Sequence, residues 1–103
     1  DNLISKNWKS HKENPVIFDS NQARNGGMIF SENKEIYRVF QRQGFDMYGK
    51  SIGISKIKTL NEYQYHEEIL LNVEPKFFKN IKGTHSFSFT PGILAFDFVK
   101  YQK

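Results

Sequence analysis

Residues 26–41 read GGMIFSENKEIYRVFQ, with two short apolar runs around a polar centre. The apolar run at 28–30, the polar turn at 31–34 and the second run at 35–41 together predict a β-hairpin. The diglycine that precedes them marks a sharp backbone feature, because glycine tolerates positive φ and lets other groups approach closely.

The second strand of this hairpin carries apolar side chains on both of its faces. Ile36 and Phe40 point to one side, while Tyr37 and Val39 point to the other. Such a pattern is typical of a sheet that is covered on both sides. The segment therefore predicts a sheet stacked against other sheets.

The strand pattern continues towards the middle of the chain. Residues 51–60 place Ile52 and Ile54 on one face and then change phase at Ile57. A period of two that slips by one residue predicts a β-bulge or a change of partner strand.

The next segment has two interpretations. Residues 65–73 alternate as a strand would, but their apolar residues also permit a helix. Residues 59–62 fit the start of a short helical turn with a capping box.

The last segment, SFSFTPGILAFDFV at 86–99, predicts a second hairpin. Residues 86–90 alternate serine with phenylalanine, and Pro91-Gly92 is a strong turn signal. Residues 93–99 then return as a strand rich in residues that suit a pleated surface.

These elements predict an all-β fold: an antiparallel four-stranded blade plus a further hairpin, which together form part of a β-propeller. We expect a single domain over 1–103, which is the C-terminal fragment of a larger propeller. Residues 1–25 form an irregular lead-in, 26–75 form one blade, and 83–100 form the hairpin of the next blade.

Composition excludes several classes of protein. The chain has no cysteine, so it has neither disulfides nor thiolate metal ligands. Its net charge of +4 comes from scattered Lys and Arg among acidic residues, which indicates a solvated surface and no nucleic-acid partner. No apolar run approaches the roughly 20 residues of a membrane span, and the first residues lack a signal peptide pattern. We expect a soluble cytoplasmic protein.

A set of short motifs occurs along the chain in a characteristic order. They are Trp8, His11, Asn14-Pro15-Val16, ARNGG at 23–27 with Ile29-Phe30, Tyr37-Arg38 with Gln41, Tyr48-Gly49, Ile57 with Leu60, Tyr63, and Gly83-Thr84-His85. This order resembles the C-terminal part of a five-bladed β-propeller domain found beside glycosyltransferase or formyltransferase modules. It also resembles the amino-terminal domain of plant glucosamine inositolphosphorylceramide transferases. The architecture is similar to glycoside hydrolase family 43.

The resemblance implies a carbohydrate-related segment of a protein that makes or modifies surface glycans. Its expected ligand is a sugar or sugar phosphate, and its expected protein partners are the remaining blades or a transferase module. The alternative is a non-catalytic interaction module that positions a transferase domain. We expect no cofactor.

The chain offers no complete catalytic site. Glycoside hydrolysis needs two carboxylates roughly 5–10 Å apart, and the resemblance implies that these acids come from earlier blades. Asp46 and Asp97 have no paired acid at a suitable spacing. His11, His66 and His85 are too dispersed for a metal site. The sequence leaves open whether the parent protein is a glycosyltransferase, a formyltransferase or a glycosidase-like protein.

Four residues are the candidate ligand contacts: Arg24, Asp46, Tyr48 and His85. The resemblance implies that His85 lines the central channel of the propeller, whereas the alternative is a histidine satisfied by backbone partners. Arg24 projects into the same channel or bridges to a neighbouring blade. Tyr48 is either an aromatic platform for a sugar ring or a buried residue that pins its loop.

Asp97 also has two interpretations. It is either an inward carboxylate with a raised pKa or an acid that faces solvent or caps a neighbouring strand. Finally, a partial propeller leaves strand edges and apolar blade faces uncovered, so we expect the isolated chain to self-associate.

Overall fold

The computed structural model describes residues 7–44 and 47–101, and these contain β-strands but no helix. The candidate residue Asp46 lies outside the described residues. The strands are β1 (Asn25–Glu32), β2 (Glu35–Gly44), β3 (Met47–Leu60), β4 (Tyr65–Val73), β5 (Ile81–Gly83), β6 (Phe87–Thr90), β7 (Ile93–Phe96) and β8 (Val99–Lys100).

Strands β1 to β4 form an antiparallel meander in chain order, as the sequence predicts. The first turn is tighter than expected, because Glu32 and Glu35 still pair and only Asn33 and Lys34 remain in the loop. Both loop residues have positive φ, 50° and 68°, which is the backbone of a type I′ hairpin.

The predicted phase change in β3 is a β-bulge against β4. The register shifts between Ile54 and Ser55 and again between Ile57 and Thr59. Residues 65–73 form β4, so the helical alternative for them is wrong. The predicted helical turn at 59–62 is also wrong, because β3 extends to Leu60. Asn61 instead closes a bend, because its side-chain oxygen accepts the backbone N–H groups of Tyr63 and Gln64, both at 2.9 Å.

The second hairpin consists of β6 and β7, and it extends the first sheet in the order β4-β3-β2-β1-β6-β7. Its junction with β1 is parallel, through the pair Gly27 and Phe87, so the sheet is mixed and not antiparallel throughout. The predicted strand over 93–99 ends early, at Phe96. Residues 99–100 instead form β8, which pairs with β5 in a small separate sheet.

The junction between the two hairpins depends on the diglycine. A Cβ atom at Gly27 would lie 1.9 Å from the carbonyl oxygen of Phe87, and one at Gly26 would lie 2.9 Å from the carbonyl carbon of Phe40. Neither distance is possible for a side chain. Gly27 also has a φ of 149°, which L-residues rarely adopt.

The core lies at the centre of the meander. Val39 and Phe40 point to opposite faces of β2 and both are fully buried, which confirms that this strand is covered on both sides. Phe40 lies across Gly53 of the neighbouring strand, where a Cβ would meet the ring at 2.2 Å. This close packing fixes β2 against β3.

A buried charged network joins β2 to β4 across the intervening strand. Arg38 donates from Nε to Glu67 Oε2 at 2.9 Å and from a terminal nitrogen to Glu67 Oε1 at 2.6 Å. Its other donors reach Asn25 Oδ1 at 2.9 Å and the carbonyl oxygen of Gln22 at 2.6 Å. Tyr65 donates its hydroxyl to Glu67 Oε2 at 2.5 Å. The network ties the lead-in segment, β1, β2 and β4 together.

The network changes the titration of its members. Burial opposes ionisation of both Arg38 and Glu67, but their mutual hydrogen bonds and charges raise the pKa of Arg38 and lower the pKa of Glu67. Burial, followed by the hydrogen bond to Glu67, raises the pKa of Tyr65 to about 12. The ion pair therefore stays charged inside the protein.

Apolar surface remains open beside the second hairpin. A phenylalanine cluster of Phe77, Phe78, Phe96 and Phe98 has ring centroids 5.2–6.3 Å apart, yet each member is 38–51% exposed. A cavity of about 240 Å³ adjoins it, lined by apolar residues and Thr84. Strands β4 and β7 are the edge strands of the six-stranded sheet that the described residues form. Such edges and patches favour association.

We predict that Glu67→Ala lowers the free energy of unfolding by about 3–5 kcal/mol, because it leaves the buried charge of Arg38 unpaired. Glu74→Ala is the matched control, since Glu74 pairs with Arg42 at 3.0 Å on the surface, where a pair contributes about 0–1 kcal/mol. Urea denaturation of both variants provides the measurement. Equal losses would show that the buried pair has no special structural role.

We also predict that the isolated chain self-associates through the phenylalanine cluster, because association removes that apolar surface from water. Sedimentation analysis should show a mass that rises with concentration. Phe98→Glu should weaken the association, whereas Phe18→Glu, at a residue that is 88% exposed and outside the cluster, should not. A compact monomer at every concentration would contradict this prediction.

Candidate functional site

Strand direction brings three of the candidate residues to one end of the sheet. Strands β1 and β6 run parallel, and β3 runs in the same direction as β1 because β2 is antiparallel to both. These three strands therefore begin at the same end of the sheet. Arg24 immediately precedes β1, Tyr48 is the second residue of β3, and His85 lies two residues before β6.

The three side chains are in contact with one another through Tyr48. The guanidinium carbon of Arg24 lies 5.1 Å from the centre of the Tyr48 ring, within range of a cation–π interaction. The His85 ring meets Tyr48 nearly at a right angle, with centroids 5.4 Å apart. Tyr48 is 60% exposed, so the interpretation of it as a buried residue pinning its loop is wrong.

The backbone holds Arg24 at this position. Its carbonyl oxygen accepts the N–H of Gln41 at 2.8 Å, and the Gln41 side chain donates to the carbonyl oxygen of Asn25 at 3.0 Å. The guanidinium forms no ion pair with a carboxylate of residues 7–44 or 47–101. It is exposed and available to a ligand.

Asp97 fixes His85 from the other side. Its Oδ1 accepts the backbone N–H groups of His85 at 2.9 Å and of Ser86 at 3.0 Å. Its Oδ2 contacts His85 Nδ1, and its carbonyl oxygen accepts the Thr84 hydroxyl at 2.7 Å. Asp97 thus caps the start of β6, which is one of its two predicted interpretations. It lies outside β7, although the predicted strand extends to Val99.

Gly49 makes room for the imidazole. It has a φ of 71°, and a Cβ there would lie 3.2 Å from His85 Cδ2. The His85 ring therefore lies against Gly49, Tyr48 and Asp97, and its side chain is 34% exposed. We call Arg24, Tyr48, His85 and Asp97 together the Arg24 site.

The Arg24 site contains a cation, an aromatic ring and an imidazole paired with a carboxylate. These groups suit the binding of an anion or a hydroxyl group. Within 7–44 and 47–101 the acid of the site is Asp97, and it pairs with His85. The described part of the chain also holds no cluster of three or more His, Cys, Asp or Glu residues that could bind a metal ion.

Sequence reasoning missed two features. The sequence presents Asp97 as a separate acid, because no spacing rule links it to His85 twelve residues earlier. The pairing of Arg38 with Glu67 was also missed, because it requires the register of three strands. A signal existed for Gly49, since glycine beside an aromatic residue marks a close approach.

Comparison with known proteins places the chain in a family. The family model described as "Glucosamine inositolphosphorylceramide transferase 1, N-terminal" matches residues 2–90. The chain belongs to this family. Glucosamine inositolphosphorylceramide transferase 1 of Arabidopsis thaliana is 44% identical to it over 62 residues, which is 58% of this chain and 8% of that relative.

Membership in the glucosamine inositolphosphorylceramide transferase N-terminal family confirms this part of the predicted resemblance. The chain spans about 8% of the length of the curated relative. No solved structure matches it. No helix within 7–44 and 47–101 is both long and apolar enough to cross a membrane.

We predict that Asp97→Ala destabilises the chain by about 1–3 kcal/mol, because two N–H groups at the start of β6 lose their acceptor. Asp19→Ala is the control, since the side chain of Asp19 accepts one N–H, that of Asn21, in an exposed turn. Thermal unfolding compares the two variants. Asp97→Ala as stable as the control would show that the cap is dispensable.

Proposed function

We propose that this chain is a carbohydrate-related β-propeller segment of a protein that makes or modifies surface glycans. In this proposal the Arg24 site binds a sugar or sugar phosphate, and the segment does not perform catalysis by itself. The observation that supports it is the convergence of Arg24, Tyr48 and His85 at one end of the sheet. Family membership gives the link to glycans.

The topology supports the propeller part of the proposal. A propeller blade is a four-stranded antiparallel sheet, and β1 to β4 have this arrangement. The β6–β7 hairpin then corresponds to the first two strands of the next blade. Innermost strands of adjacent blades lie side by side, which fits the parallel contact between β1 and β6. Five blades and an architecture like glycoside hydrolase family 43 belong to the same proposal.

In this arrangement the Arg24 site is close to the propeller axis. Arg24 and His85 each precede an innermost strand, and loops at one end of such strands surround the mouth of the central channel. Arg24 offers a forked donor for phosphate, carboxylate or hydroxyl oxygens. Asp46, outside the described residues, is a further proposed contact.

We predict saturable binding of a sugar or sugar phosphate that Arg24→Ala and His85→Ala each weaken by about tenfold, as expected for the loss of a hydrogen bond to a charged or polar group. Intrinsic tyrosine and tryptophan fluorescence of the full chain follows the titration, with Tyr48 as the reporter in the site.

Two variants of the same residue types serve as controls. Arg42→Ala removes an arginine from the surface pair with Glu74, and His66→Ala removes an exposed histidine of β4. Both should bind as the unaltered chain does. Absence of sugar binding, or equal losses in the control variants, would refute the proposed site.

A second candidate function is a non-catalytic module that contacts the remaining blades or a transferase module. The half-exposed phenylalanine cluster and the adjoining apolar cavity favour it. Two results together would support this function over the first. The chain would bind no sugar, and its Phe98→Glu variant would lose association with the rest of the parent protein.

A further inference from the structure

The two edge strands of the six-stranded sheet, β4 and β7, differ in how they are protected. Natural sheets protect their edges with charged residues, prolines, β-bulges or covering segments. Strand β4 has three of these: its register against β3 shifts twice, it carries Glu67 and Glu68, and the Glu13 side chain accepts the N–H of Tyr65 at 2.9 Å. These features oppose the addition of another strand to β4.

Strand β7 is the unprotected edge. Its sequence, ILAF, contains no charged residue and no proline, and all four of its residues pair with β6 in an unbroken register. Its first two residues, Ile93 and Leu94, are 66% and 56% exposed. An apolar edge strand without a bulge is a template for pairing with another strand.

The backbone of β7 offers donors and acceptors at this edge. Opposite residues of an antiparallel pair alternate between those that bond to each other and those whose N–H and C=O groups point away. The carbonyl oxygen of Phe87 packs on Gly27, and the N–H of Phe89 meets a methionine sulfur of β1 at 3.1 Å. Both residues of β6 thus point towards β1. Their partners in β7, Phe96 and Leu94, therefore direct their backbone groups away from β6 to the open edge.

Two copies of β7 satisfy these groups mutually in one register. When the strands pair antiparallel about a two-fold axis at Ala95, Leu94 of each copy lies opposite Phe96 of the other and exchanges both backbone hydrogen bonds with it. Ala95 then faces its own counterpart, and its small side chain suits the roughly 4.5 Å Cα separation of such a pair. No charge in β7 repels the second copy.

The apolar surface around β7 is large enough for such an interface. Leu94 lines the apolar cavity together with members of the phenylalanine cluster, so the edge and the cluster form one surface. Its large side chains are 38–66% exposed and offer roughly 600 Å². Each partner contributes about 800 Å² to a standard interface, and the backbone of β7 supplies part of the remainder. The side chains are Phe77, Phe78, Ile93, Leu94, Phe96 and Phe98.

We propose that β7 pairs antiparallel with β7 of a second copy, so that two six-stranded sheets become one continuous sheet with the phenylalanine clusters beside the seam. The pairing fixes the strand, the register and the symmetry axis of the association, and it is independent of ligand binding at the Arg24 site. In the proposed propeller the third strand of the next blade would occupy the same edge. The second copy takes that place.

The first test uses the absence of cysteine from the chain, because a single introduced thiol then reports on one position. Ala95→Cys places two thiols across the axis at a Cα separation of roughly 4.5 Å, which suits a disulfide. Mild oxidation of the full chain should convert most of this variant into a linked dimer. Leu70→Cys is the control, at a residue that is 48% exposed on the protected strand β4. Equal dimer yields from the two variants would overturn the proposal.

The second test places charges on the axis. Ala95→Glu and Ala95→Lys should each weaken dimerisation by roughly fivefold, because like charges then lie directly opposite each other. An equimolar mixture of the two variants should associate as well as the unaltered chain, because opposite charges then face across the axis. Sedimentation analysis measures all three samples. Misfolding of a variant cannot produce this recovery, since the same polypeptides are compared alone and together.

Three results would contradict the pairing. A mixture that associates no better than either charged variant alone would remove the axis at Ala95. Association that is lost in Phe98→Glu but unchanged by either charge at residue 95 would assign the contact to the phenylalanine cluster without strand pairing. A monomer at every concentration would leave the edge to a strand of another protein.

Discussion

The close approach of β6 to β1 at Gly27 is the constraint on which the rest of the structure depends. A carbonyl oxygen of Phe87 occupies the space that any side chain at residue 27 would need. Gly26 allows an equally close approach to the backbone of Phe40 on the other side of β1. Because both partners of β1 approach its backbone closely at the diglycine, two hairpins from distant parts of the sequence become one sheet.

The candidate site is a consequence of that junction. Parallel alignment of β1 and β6 brings the residues before each strand, Arg24 and His85, to the same end of the sheet, and β3 adds Tyr48 between them. The buried pair of Arg38 and Glu67 acts at the opposite side of β1, where Arg38 of β2 binds both the lead-in segment and β4. Without the junction these groups would remain on separate hairpins.

The strands of the meander and the two hairpin turns were predictable because their causes are local. Alternation of apolar residues and the Pro91-Gly92 turn belong to neighbouring positions, so the sequence displays them directly. The partnership of Asp97 with His85 depends instead on where a strand stops pairing, and the Arg38–Glu67 bond depends on the register of three strands. Asp97 lies in an apolar run and so resembles a strand residue. The alternation of apolar residues does not reveal that its side chain caps the start of β6.

Replacement of Gly27 by alanine tests whether the close approach of β6 holds the two hairpins together, with amide resonances of the full chain as the readout. We expect Gly27→Ala to displace the resonances of β6, β7 and the Arg24 site and to leave those of the paired part of β3 and β4, residues 52–73, in place. Gly92→Ala is the control, since Gly92 also has positive φ, 82°, but has no atom within 4 Å of a Cβ placed there. A Gly27→Ala spectrum that differs from that of the unaltered chain only next to residue 27 would show that the sheet does not depend on this close approach.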